Sequence, residues 1–267
     1  MRHVVPEDRT MCRSRLPPLD LRQGLNRLNL AETVARQLGE AIVTGKYAVG
    51  ETLPKESTLG DAFSVSRSVV REAIKILSVK GFLAARPKRG TWVRPQSAWN
   101  LFDADAFLWL CKTRSTREVL VQSFELRLTV EPPSAALAAI AASEAHLLDL
   151  QASLFAIEGS GAMESSDIMA FHRLVLVASG NLFFAQLANF IELVIGAAAR
   201  SYCLNAEVPY RCYEEVCNAI VERNPAGAEI SMRLLLQAQK ESMGNHAPSQ
   251  APIRQGIALS RSRKPTG

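Results

Sequence analysis

The sequence is short of the features that mark secreted, membrane-bound and enzymatic chains. Its five cysteines, Cys12, Cys111, Cys203, Cys212 and Cys217, form no CxxC pair and no even framework. That excludes a disulfide-stapled scaffold, and the thiols read as reduced core filler in a cytoplasmic protein. No apolar run approaches the length of a membrane-spanning helix, so no membrane partner is expected. The opening stretch, MRHVVPEDRTMCRSRLPPLDLR, lacks the apolar central segment of a signal peptide. Nucleophile elbow, P-loop, HExxH pair and clustered carboxylates are all missing, which argues against an enzyme.

What is present is an uneven charge distribution along 267 residues, a length that suits two domains. The formal net charge is +5, yet residues 29–94 carry 11 Lys/Arg against 6 Asp/Glu while residues 95–243 carry 10 against 17. A basic first domain followed by an acidic body fits a nucleic-acid reader joined to a domain with another task. The ends, 1–28 and 244–267, are basic and polar and read as disordered arms.

Within the basic part, LPKESTLGDAFSVSRSVVREAIKILSVKGFLAARPKRGTWV predicts helix, tight turn, helix and hairpin. In the second helix Val65, Val69, Val70, Ala73, Ile74 and Leu77 recur at three- and four-residue spacing and form one buried stripe. Ser66, Arg67, Ser68, Arg71 and Lys75 take the opposite face, with Ser66 as the expected N-cap through its hydroxyl. Arginine can fork onto guanine and serine can reach phosphate or a base edge, so this face suits a DNA major groove. Lys55, at the start of the preceding helix (about Glu56 to Ala62), is placed for phosphate. The hairpin strands, 82–85 and 91–93, flank a basic tip containing Arg89 and Gly90, where glycine permits a positive φ. Leu30, Val34, Leu38, Ala41 and Ile42 supply one more amphipathic helix to close this small core.

Residues 95–114 read as a linker entering a short helix capped by Asp103, and residues 115–243 as long helices without a strand. Helices are expected over about 116–142, 144–158, 165–178, 182–205, 209–223 and 225–243, with a kink or break at Pro132-Pro133. Short connections make these an antiparallel bundle, a natural holder for a small ligand. Arg127 lies among the apolar Phe124, Leu128 and Ala135; facing inward, it would need either a ligand carboxylate or a structural partner in Glu125 or Glu131. His172, in the apolar string DIMAFHRLVLVASGN, is either a satisfied core histidine or a ligand-contacting one.

The strings TGKYAVGETLPKE, VSRSVVREAIKIL, KGFL and RPKRGTWV resemble, in order and spacing, the winged helix of GntR-type transcription regulators. The resemblance implies DNA contacts at Ser66, Arg67, Ser68, Arg71 and Gly90. Many members also carry an arginine where this chain has Ser57. ELRLTVEPPSAALAA, FHRLVLVASGN and AIVERNPAGAEISM are similar to the all-helical ligand-binding domain of FadR-type members.

Such domains often hold a divalent metal through one aspartate and three histidines, beside a carboxylate-bearing effector. Here His172 matches the first histidine, but Ile168 stands in the aspartate's place with Asp167 one step off. Tyr213 and Leu235 replace the other two histidines. One ligand of four does not hold Zn²⁺ or Ni²⁺, so a metal-free pocket without cofactor is expected. Arg127 matches the family's effector-binding arginine, with His172 and Tyr213 as hydrogen-bonding partners of the effector. QSAWNLFDADAFLWL is similar to the junction of galactonate-operon repressors, a sugar-acid branch.

The expectation is therefore a mostly α protein with an N-terminal winged helix-turn-helix and a C-terminal antiparallel all-helical bundle. It would act as a cytoplasmic homodimer that binds double-stranded operator DNA, a repressor released by a small organic acid. An effector-independent regulator with a degenerate pocket is the alternative.

Overall fold

The computed structural model describes residues 27–86, 90–112, 116–159, 164–202 and 208–245. Arg89, Cys12, Cys203 and nearly all of both expected arms lie outside the described residues. The chain divides into two compact units between Leu120 and Val121.

The first unit orders α1 (Arg27–Val43), α2 (Glu56–Phe63), α3 (Arg67–Val79), β1 (Leu83–Arg86), β2 (Gly90–Val93), a 3-10 turn (Gln96–Ala98) and α4 (Ala104–Leu110). The apolar stripe of α3 is buried at Val69, Val70, Ala73, Ile74 and Leu77 and meets Val34, Leu38, Leu59 and Phe63 in one core. The strands pair antiparallel, from Leu83 opposite Val93 to Arg86 opposite Gly90. Residues 50–53 join the outer edge of β2: Leu53 donates to the Thr91 carbonyl at 2.8 Å, and Val93 to that of Glu51 at 3.0 Å. The Tyr47–Gly50 exit turn thus feeds a third extended segment, which the sequence pattern had not indicated.

In this unit two expectations need correction. Ser66 stands at the N-cap of α3, but its hydroxyl makes no cap bond and instead meets the Ser68 hydroxyl at 2.9 Å. The stretch expected as a linker entering a short helix folds onto the first unit: the helix is there, with Ala106 and Trp109 in the core, and Trp99 ahead of it stacks on Phe82 at 4.5 Å. Asp103 does cap α4, accepting from the Ala106 amide, and Lys80 at the end of α3 bonds both its carboxylate oxygens at 2.7 Å. That ion pair joins the end of α3 to the start of α4.

The second unit is built from α5 (Thr116–Ala141) from Val121 onward, α6 (Glu144–Gly159), α7 (Ser165–Ala178), α8 (Leu182–Tyr202), α9 (Tyr210–Val221) and α10 (Pro225–Asn245). Pro132 and Pro133 lie inside α5, which continues through them. They neither break it nor end it. The carbonyls of Leu128 and Thr129 lose their helical donors there, the usual effect of internal proline. The span Leu182–Ser201 within α8, mean hydropathy 1.7, has the length and composition of a membrane span, contrary to the reading of its sequence. Its Ala188, Ile191, Val194, Ile195 and Ala198 are buried, while Leu182 and Phe183 at its start are exposed, the one-sided burial of an amphipathic helix.

Gly81 joins α3 to β1 at φ +83°, and a Cβ there would lie 2.2 Å from the Ala98 carbonyl oxygen. Gly81→Ala should therefore destabilise the first unit by about 2 kcal/mol or more. All three tryptophans, Trp92, Trp99 and Trp109, belong to that unit, so urea unfolding followed by tryptophan fluorescence reads the effect directly.

Candidate functional site: a basic cleft and a buried polar cluster

The first site is an open cleft bounded by the start of α2, the first turns of α3 and the edge of β2. Lys55, Glu56, Arg67, Arg71, Gly90 and Thr91 are among the residues lining it. Lys55, Ser66, Arg67, Ser68 and Arg71 are all exposed, because burial of Val69 and Val70 turns the opposite side of α3 outward. Gly90 adopts φ +82°, the left-handed region its position suggested. Arg71 is held by a forked pair with Glu56, Nε to Oε1 at 3.2 Å and Nη2 to Oε2 at 2.8 Å. Both side chains face solvent, so this pair orients the guanidinium more than it stabilises the fold. The Glu56 contact went unforeseen, since it joins residues 15 apart on two helices.

The second site lies inside the bundle. Arg127 is the largest fully buried side chain of the described residues, and Glu131, His172, Tyr213 and Gln239 around it are equally closed from solvent. Of the two partners open to Arg127, the structure selects Glu131, one turn along α5, with Nε to Oε1 at 2.5 Å. Glu125 points outward, 3.9 Å from Lys240. The other carboxylate oxygen of Glu131 accepts from His172 Nδ1. Arg127 Nη2 stands 3.3 Å from His172 Nε2, and Gln239 donates from Nε2 to the Tyr213 hydroxyl at 2.9 Å. Phe124 lies under the guanidinium, 4.8 Å to the ring centre. Gln239 was not anticipated, although it sits one turn beyond Leu235 on α10 and so shares its face.

These contacts assign the charges. Burial alone would raise the Glu131 carboxyl, but the Arg127 guanidinium and His172 outweigh it and hold it at about 2. Burial lowers His172 and Arg127 lowers it further, against the pull of Glu131, so the ring is neutral with its proton on Nδ1. Burial also pushes the Tyr213 hydroxyl up, keeping it un-ionised. A divalent metal does not fit. Ile168 is buried where a carboxylate would be needed, Leu235 offers no donor, and Arg127 brings a fixed cation against the ring nitrogen. Among the described residues no three His, Cys, Asp or Glu side chains converge.

Comparison with known proteins follows the same division. Residues 30–93 match bacterial regulatory proteins of the gntR family, and residues 122–238 match the FCD domain. An uncharacterized HTH-type transcriptional regulator of Escherichia coli, YieP, is 30% identical over 83% of this chain and 98% of its own length. The chain belongs to the GntR family.

The galactonate operon transcriptional repressor of Escherichia coli is also 30% identical, over 62% of this chain and 73% of that repressor. The solved structure of Lar, which controls the Listeria monocytogenes agr system, aligns with a TM-score of 0.55. At 19% identity over 80% of this chain and 96% of Lar, it speaks to the fold alone. This GntR-family chain is thus a transcriptional regulator pairing a helix-turn-helix domain with an FCD effector-binding domain.

Acid should destabilise the helical unit. An unfolded chain protonates His172 near its ordinary value of 6.5 whereas the folded chain keeps it neutral, so folding stability falls as pH drops through that range. Glu131, at about 2 when folded and 4.5 when free, removes further stability as pH falls from about 4.5 toward 2. Thermal midpoints should decline from pH 7 to 5, and His172→Gln should flatten that decline.

Proposed function

We propose that this regulator is a cytoplasmic homodimeric repressor that occupies a palindromic operator and leaves it when a small, sugar-acid-like organic acid binds the helical domain. The observation that carries the DNA half is the cleft that gathers Lys55, Arg67, Arg71 and Gly90 beside exposed Ser66 and Ser68. Arg67 and Arg71 read base edges, while Lys55 and the serines hold phosphates; Arg89, outside the described residues, is by its charge and place in the sequence a further phosphate contact. Two-fold symmetry of the dimer would match the two half-sites. Arg127, His172 and Tyr213 mark where the effector acts, and the galactonate repressor among the relatives supports the sugar-acid class. Release then follows from linkage: the effector binds the DNA-free form more tightly than the bound one.

A second reading, an effector-independent regulator with a degenerate pocket, draws on one observation. Glu131 already satisfies Arg127 from within the chain. Thermal unfolding against aldonic, uronic, hydroxy- and fatty acids separates the two. An effector at about a hundred times its Kd should add about 2.7 kcal/mol, with or without chelator. A flat panel favours the second reading.

For the DNA half, Arg67→Ala and Arg71→Ala should each weaken operator binding by about 1–3 kcal/mol and relax sequence preference at one position. Lys55→Ala should weaken all sequences alike and lower the salt slope by about one. Fluorescence anisotropy with operator and scrambled duplexes at several salt concentrations reads both. Loss of affinity without change in preference for Arg67→Ala would remove it from base reading.

A further inference from the structure

The buried cluster is closed in charge: Arg127 is balanced by Glu131, and His172 is neutral. Nothing in it calls for an added anion. What remains open is of another kind. Arg127 Nη1 is a buried donor and Gln239 Oε1 a buried acceptor, and neither has a partner. Both belong to groups that meet at one atom, since Arg127 Nη2 and Gln239 Nε2 each lie 3.3 Å from His172 Nε2. Because His172 donates a hydrogen bond from Nδ1 to the Glu131 carboxylate, its Nε2 accepts, which turns the Gln239 amide nitrogen toward the ring and leaves its carbonyl free.

An unmatched donor and an unmatched acceptor on two side chains that share His172 as a neighbour fit a group that both accepts and donates, such as a hydroxyl. A carboxylate only accepts, and would set its oxygens against the Gln239 carbonyl as well as against Glu131. We propose that the cluster reads a neutral hydroxyl of a sugar-type effector, while Glu131 permanently holds the place at Arg127 that a ligand carboxylate would need. The hydroxyl oxygen accepts from Arg127 Nη1, and its proton goes to Gln239 Oε1. This rests on the effector reading above and specifies which part of the ligand meets the bundle interior.

The test uses the full chain on operator DNA with galactonate, galactonamide and galactitol, which share the polyol chain and differ in the terminal group. Wild type should release DNA with all three at concentrations within about threefold of one another, because the hydroxyl is common to them. Glu131→Gln frees the guanidinium, so galactonate should then outperform galactitol by about tenfold, and acetate should raise the thermal midpoint of this variant but not of wild type. Release of wild type by galactonate alone, about tenfold better than both neutral analogues, overturns the proposal and gives Arg127 to the ligand carboxylate.

If none of the three acts on wild type, the sugar-type effector reading fails, and acetate decides the present one separately. Stabilisation of Glu131→Gln only upholds closure of Arg127 by Glu131, while an equal response in both proteins overturns it. Should Glu131→Gln not fold, Gln239→Met removes the open acceptor at similar size. It should weaken release by galactitol and galactonate alike, and an unchanged galactitol response overturns the proposal.

Discussion

A guanidinium cut off from water must find its counter-charge inside the protein, and Arg127 finds it one helical turn away on Glu131. The rest of the helical unit is arranged around that necessity. Glu131 has a second oxygen to satisfy, and His172 on α7 meets it. The ring then has an acceptor nitrogen, which draws Gln239 from α10, and Gln239 in turn engages Tyr213 on α9. One buried charge thus ties four helices, and each link follows from the hydrogen-bonding demand left by the one before. Removing a single member leaves a buried polar group unpaired, which is costlier than never having buried it.

The same arginine decides what the site is not. A fixed cation beside His172 opposes a second cation there, and Ile168 and Leu235 close the remaining positions with hydrocarbon. The helical unit keeps the FCD architecture while its interior is organised by an internal ion pair. Charge in the first unit is handled in the opposite way. Arg67, Arg71 and Lys55 stay in solvent, where they remain available to phosphates, and the partly exposed Glu56 directs Arg71 without burying it. The less exposed pair, Lys80 with Asp103, serves shape, fixing α4 against the end of α3.

Much of this was legible in the residues. The three- and four-residue spacing of Val69, Val70, Ala73, Ile74 and Leu77 is enough to orient α3, because one buried stripe leaves only one exposed face. Gly90 announced its positive φ, and Asp103 announced the cap of α4. Where local signals misled, the competing force was tertiary. Pro132 and Pro133 should have interrupted α5, yet the helix continues where its Val130, Ala135 and Ala138 are buried in the bundle core. Ser66 should have capped through its side chain, but the hydroxyl meets Ser68. The stretch before α4 looked like linker because its apolar residues lack a long period, although its Trp99 packs against the core of the first unit.

The sequence by itself determined the order of elements, the division into a basic and an acidic half, and which side of α3 meets solvent. Periodicity and net charge are properties of neighbouring residues, and they survive without knowledge of the fold. Only the tertiary structure decided that Arg127 pairs with Glu131 and not Glu125, that His172 is neutral, and that Gln239 belongs to the cluster. Those outcomes depend on which side chains from helices distant in sequence are brought within 3 to 4 Å, and on the exclusion of water from that meeting point. No local pattern records either.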